Sequence, residues 1–183
     1  FGTGYEPFSL AIADLNADGR PDLAVANYQE STVSVLLGNG DGTFLTRMDF
    51  VTGGAPARVA ISDLNADGRP DLAVMCVIPG AISVLLGHGD GTFGTHTQYA
   101  AGVGSGSGRA YSLAIADLNA DGRPDLAVAV YAGNRIAVML GNGDGTFGAR
   151  TDISTEGRPY FVAIADLNAD GRPDLAVANY ASN

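Results

Sequence analysis

The chain has 183 residues, 46% hydrophobic and 16% charged, with 26 glycines and a formal net charge of −10. Such a chain is globular rather than disordered and long enough for one core or a few repeated units. Its basic residues are all arginine and form no run, and no stretch of about 20 apolar residues occurs, so nucleic acid, anionic membrane surfaces and a membrane span are all excluded as expectations.

The chain opens on Phe1 with no Met or leader-like segment, and reads as a mature or excised piece. The first predicted strand is residues 8–13, "FSLAIA", where Leu10 and Ile12 alternate with alanine. The nonapeptide "DLNADGRPD" at 14–22 follows as a turn. Strand two is predicted at 23–28 and strand three at 32–38, where Val33 and Val35 alternate with polar neighbours. A "GNGDG" turn, whose glycines suit the positive φ of a tight hairpin, leads to strand four near 46–53. No segment carries a helical period over ten residues.

This unit then repeats. The nonapeptide recurs unchanged at 63–71, 117–125 and 166–174, with starts 49, 54 and 49 residues apart. The longer step holds the insertion "GVGSGSGR" at 102–109, a flexible loop by composition. The second signature appears as "LLGNGDGTF" at 36–44, "LLGHGDGTF" at 85–93 and "MLGNGDGTF" at 139–147. Four short strands repeated about every 50 residues predict an all-β fold of four-stranded antiparallel blades, a β-propeller type. The expected blades are approximately 8–53, 57–102 and 110–156, with a half-blade at 159–183, in a single repeat domain spanning 1–183. The small residues of strand one suit the crowded innermost position around a central channel.

The acidic charge is concentrated in the nonapeptides, which hold 12 of the 20 Asp and Glu residues. Oxygen-bearing side chains stand at position one (Asp14, Asp63, Asp117, Asp166), three (Asn16, Asn65, Asn119, Asn168), five (Asp18, Asp67, Asp121, Asp170) and nine (Asp22, Asp71, Asp125, Asp174). Position seven (Arg20, Arg69, Arg123, Arg172) offers a backbone carbonyl. Hard oxygen donors on a short loop suit Ca²⁺, whereas Zn²⁺ or Cu²⁺ would want the His or Cys that these loops lack. An EF-hand needs Glu at position twelve, but that position is Val25, Val74, Val128 and Val177. A plain Asx-rich turn is the alternative. Four loops, each packing three carboxylates into nine residues, weigh against it, because the carboxylates repel one another without a cation. Four Ca²⁺ sites are expected.

The D-x-N-x-D-G-x-x-D loop between two strands resembles the FG-GAP repeats of integrin α-subunit propellers and their bacterial, VCBS-type relatives. "FG" stands at Phe1-Gly2, Phe93-Gly94 and Phe147-Gly148, and "GAP" at Gly54-Ala55-Pro56. The chain departs from the pattern where Leu45 follows Phe44 and where "RAY" or "GRP" replaces "GAP". The resemblance implies a calcium-loaded propeller, usually of seven blades, in an extracellular or cell-surface protein.

Near-identical copies argue against a single differentiated catalytic centre, so no enzyme is expected. Asp41, Asp90 and Asp144 read as turn formers, with a weak second cation site as the alternative. His88 reads as a surface turn residue, His96 has no evident acid or thiol partner, and Cys76 reads as a small buried thiol. The expected role is adhesion, surface or filament assembly, or matrix contact. Glycan binding in the manner of a lectin, and service as an accessory domain of a secreted enzyme, remain open. About 14 strands make three and a half blades, so strand two of the last unit at 175–180 exposes an edge. Such an edge calls for a cover, either further blades or an identical neighbour docked head to tail in a ring or filament.

Overall fold

The computed structural model describes residues 2–102 and 110–180. The loop expected at 102–109 lies, but for Gly102, outside the described residues, as do Phe1 and 181–183. Among the described residues, fourteen strands form four antiparallel sheets in chain order. The first holds β1(Pro7–Ala13), β2(Asp22–Asn27), β3(Thr32–Leu36) and β4(Met48–Val51). The second holds β5(Gly54–Ser62), β6(Asp71–Ile78), β7(Ala81–Leu85) and β8(Thr97–Ala100). The third holds β9(Ala110–Ala116), β10(Asp125–Val130), β11(Arg135–Met139) and β12(Thr151–Ser154), and the fourth pairs β13(Pro159–Ala165) with β14(Asp174–Asn179). One 3₁₀ turn, Tyr131–Gly133, is the only helical element among the described residues.

Each full sheet is a meander in which every strand pairs with the one before it, as period-two alternation between turn residues dictates. Strand four is shorter than the expected 46–53. The bridge between Gly38 and Phe44, and the bond from the Leu45 N–H to the Leu37 carbonyl at 2.8 Å, hold the preceding residues in the turn and delay pairing until Met48. The alternation of β1 also conceals a bulge: the register shifts between Pro7 and Ser9, and likewise between Pro56 and Arg58 and between Pro159 and Phe161.

The sheets stack in series. β1 packs on β5, β5 on β9, and β9 on β13, so the first strands are innermost, as their small residues predict. The core lies between the sheets. Val33, Val35, Ala24 and Ala26 of the first blade meet Val59, Leu72, Val74 and Leu85 of the second. Met75, Ile82 and Val84 of the second meet Leu126, Val128 and Met139 of the third. The third joint is narrower, with Ala127, Ala129 and Ile136 against Val162. Burying a Val, Leu or Ile side chain is worth about 1.5–3 kcal/mol, so each of these joints stabilises the stack of blades. The stack is not closed into a ring: Leu10 and Ile12 of β1 remain 57% and 61% exposed.

Candidate metal-binding loops

Each nonapeptide links the first and second strands of its blade and folds into a tight reversal. Gly19 takes φ +80°, and Ala17 is also left-handed at φ +59°. Ala66, Ala120 and Ala169 repeat that conformation, which costs a non-glycine residue about 1 kcal/mol or more. The reversal turns the early side chains inward. The Asp18 N–H donates to Asp14 Oδ1 at 3.1 Å and to Asn16 Oδ1 at 3.2 Å, so these two oxygens converge on one point. Asp14 Oδ2 accepts the Gly19 N–H at 2.8 Å, Asp18 Oδ1 accepts the Arg20 N–H at 2.9 Å, and the Asn16 amide donates to Asp18 Oδ2 at 3.0 Å. The same net recurs around Asp63, Asn65 and Asp67, around Asp117, Asn119 and Asp121, and around Asp166, Asn168 and Asp170. Arg20 and Arg69 lie 4.0 and 3.9 Å from Asp18 and Asp67, exposed pairs of little energetic weight.

Position nine stands apart. Asp22 is fully buried, and both its oxygens are committed to backbone donors: Oδ2 to the Leu15 N–H at 2.8 Å and Oδ1 to the Gly38 N–H at 2.7 Å. Asp71 holds Leu64 and Gly87, and Asp125 holds Leu118 and Gly141, at the same distances. Asp174 accepts the Leu167 N–H at 3.0 Å. This carboxylate therefore ties the nonapeptide to the second signature 16 residues on. Burial pushes the Asp71 carboxyl above its ordinary pKa, opposed by the N–H bonds from Gly87 and Leu64. Glycine is required at the far end of the tie, because a Cβ at Gly38 would sit 2.2 Å from the Pro21 carbonyl oxygen. The pairing was missed from the sequence, where position nine reads as one ligand among five. The constant spacing from that Asp to the glycine was the signal.

The loops also join blade to blade. The Gly91 N–H donates to the Leu15 carbonyl, and the Gly145 N–H to the Leu64 carbonyl, each at 3.1 Å. Leu15 and Leu64 are each 1% exposed, sealed beneath the next blade's turn.

Side chains at positions one, three and five thus come together, and their hard oxygens suit a cation such as Ca²⁺. A carboxylate carries about four lone-pair sites, so each oxygen that accepts one N–H keeps capacity for a cation. The ninth carboxylate is tied to backbone N–H groups of the blade, and among the described residues no group of three or more His, Cys, Asp and Glu stands close enough together to hold a metal ion. The other candidates stay local. Asp41 Oδ1 accepts both the N–H and the hydroxyl of Thr43, and Asp90 and Asp144 do the same with Thr92 and Thr146. The His96 ring nitrogen meets the Val51 carbonyl at 3.1 Å. Cys76 is buried, its thiol 3.5 Å from the Ser83 hydroxyl, and burial raises its pKa. A cavity of about 240 Å³, lined in part by Phe8, Tyr28, Arg58 and Tyr111, opens at the strand ends opposite the loops.

A family described as FG-GAP-like repeat matches residues 14–74, 63–128 and 117–177. No curated protein matches significantly. Among solved structures, an Agrocybe aegerita lectin that specifically recognises non-reducing terminal N-acetylglucosamine is 25% identical, with a TM-score of 0.61 over 91% of this chain and 45% of the lectin. BBS1N, in complex with ARL6DN, is 14% identical with a TM-score of 0.63, covering 97% of this chain and 51% of its own. The Vibrio cholerae biofilm matrix protein Bap1 is 18% identical with a TM-score of 0.50, covering 96% and 35%. The chain thus spans about half the length, or less, of these structures, and the two below 25% identity speak to fold alone.

Proposed function

The chain belongs to the family of FG-GAP-like repeats, and from that premise we propose that it is a calcium-stabilised β-propeller module working outside the cell in adhesion, surface or filament assembly. The observation that carries the reading is the convergence of the position-one and position-three oxygens, beside the position-five carboxylate, in all four loops. Asp14, Asn16 and Asp18 would hold the ion with the carbonyl of residue 20, and the remaining lone pairs of Asp22 would complete the set; each other loop does the same. A cation offsets the repulsion of three carboxylates and stiffens the turn that carries the buried tie. Extracellular modules bind Ca²⁺ with Kd of about 0.1–1 mM. At millimolar Ca²⁺ a site of about 0.1 mM adds roughly 1.5 kcal/mol. The module carries no catalytic centre and no nucleic-acid surface in this reading. Thermal unfolding with and without chelator tests it: a lower Tm on chelation is expected, and an unchanged Tm contradicts it.

A second reading rests on the cavity. Phe8 and Tyr28 sit 5.6 Å apart with Arg58 over the Phe8 ring at 5.6 Å, and Tyr111 stacks on Tyr160 at 4.4 Å. Aromatic walls with a few polar groups suit a small ligand, and the lectin likeness favours a sugar. A glycan array separates this from protein-mediated assembly, and the surrounding gene sequence tests an accessory role beside a secreted enzyme.

A further inference from the structure

We propose that the cavity at the second blade binds a free aromatic amino acid, whose flat ring takes a place that the other units fill with rings of their own. The inference rests on the reading of this cavity as a ligand site and takes the ligand's class from the chain's own repeats. The template is a row of rings. Near the start of the first strand of each unit, one residue bulges out of register with the partner strand: Phe8, Ala57, Tyr111 and Tyr160. At or just past the end of each second strand stand Tyr28, Val77, Tyr131 and Tyr180. Within a unit the two rings meet, Phe8 and Tyr28 with centroids 5.6 Å apart and Tyr111 and Tyr131 at 5.1 Å. Between units they meet again: Tyr111 stacks on Tyr160 at 4.4 Å, and Tyr131 lies 6.0 Å from Tyr180. The second unit breaks the row with Ala57 and Val77. The space left there is the cavity of about 240 Å³, with Phe8 and Tyr28 on the first-blade side and Tyr111 on the third-blade side. Both walls belong to blades of this chain. The volume is below the range of drug-sized pockets, about 300–1,000 Å³, and suits one ring with a short polar tail.

Two side chains of opposite charge stand at the same cavity. The Arg58 guanidinium lies 5.6 Å from the centre of the Phe8 ring and donates from Nη1 to the Ala57 carbonyl at 2.9 Å. A guanidinium has five N–H donors, so Arg58 keeps donors for a carboxylate. The Glu6 carboxylate accepts the Gln29 amide at Oε1, at 2.9 Å, which leaves Oε2 for an ammonium group. Among the described residues neither Arg58 nor Glu6 forms an ion pair. The other units carry Ser9, Ser112 and Phe161 where the second carries Arg58, so the cation stands at the unit that lacks the rings. A ring-sized gap beside one cation and one anion matches the three groups of a free aromatic amino acid. A neutral sugar would pair neither charge.

The test is saturation-transfer NMR with L-phenylalanine on the full 183 residues at millimolar Ca²⁺, followed by titration to saturation. The wild type is expected to pass saturation to the ring protons of the ligand. Ala57→Tyr with Val77→Tyr rebuilds the row of rings and is expected to abolish binding while keeping a cooperative thermal transition. Arg58→Gln leaves the gap open and is expected to weaken binding about tenfold or more. No transfer in the wild type, equal binding by a folded variant with the gap filled, or unchanged affinity in Arg58→Gln overturns the proposal. Where the filled variant does not fold, Arg58→Gln decides. A glycan that binds the wild type and not the filled variant, with no signal from L-phenylalanine, overturns this inference and keeps the cavity as a ligand site. Silence from both L-phenylalanine and a glycan array defeats both.

Discussion

The Gly38 backbone N–H donates a 2.7 Å hydrogen bond to the buried Asp22 carboxylate, and this contact couples the two signatures of the repeat. Its cost when broken follows from burial. Asp22→Ala leaves the N–H groups of Leu15 and Gly38 without their acceptor, and an unsatisfied buried donor costs about 1–3 kcal/mol. Gly38→Ala should destabilise comparably, by driving a methyl into the Pro21 carbonyl. Urea unfolding in the presence of chelator measures both, and Asp18→Ala, whose side chain is solvent-exposed, should be the milder change under those conditions.

The same residue in the same motif should behave differently by position. Leu64→Ala removes a side chain sealed between blades and should cost about 2–5 kcal/mol. Leu167→Ala changes a side chain that is 65% exposed in the isolated chain and should stay within about 0.5 kcal/mol under monomeric conditions. Equal losses in chemical denaturation would contradict the arrangement of joints.

Much of this was legible in the sequence. Alternation between Gly, Asn, Asp and Pro marks the strands because side chains on a pleated sheet face opposite sides, and copies of one unit predict copies of one sheet. The grouping of Asp14, Asn16 and Asp18 was legible because a nine-residue loop closed by Gly19 leaves few alternatives. The tie from Asp22 to Gly38 was not, since it depends on β2 and β3 bringing residues 16 apart into contact. Ala17 in the left-handed region was hidden for a related reason: alanine has no intrinsic preference for it, and the hydrogen-bond net imposes it.

Asp41, Asp90 and Asp144 should titrate below the ordinary carboxylate range. The Thr43, Thr92 and Thr146 hydroxyls, then their N–H groups, favour the charged form. Because the folded pKa is lowered, the stabilisation is present above the unfolded value and is lost as pH falls through the folded one. Carboxyl NMR titration should show Thr43→Val moving Asp41 back up and leaving Asp90 unmoved. An unshifted Asp41 in the variant would contradict the assignment.

Cys76 should be silent toward thiol reagents in the native protein and fully reactive after unfolding. Its burial raises the pKa, and reaction needs an accessible thiolate. Rapid native labelling would show that the second blade opens far more readily than its packing implies.

The calcium reading is tested most directly by counting ions. Isothermal titration or native mass spectrometry of the wild type should give four Ca²⁺ per chain, and Asp18→Ala should leave three with unchanged affinity, since each loop carries its own side-chain ligands. No bound Ca²⁺ at millimolar concentration, or a count that Asp18→Ala leaves at its wild-type value, would contradict it.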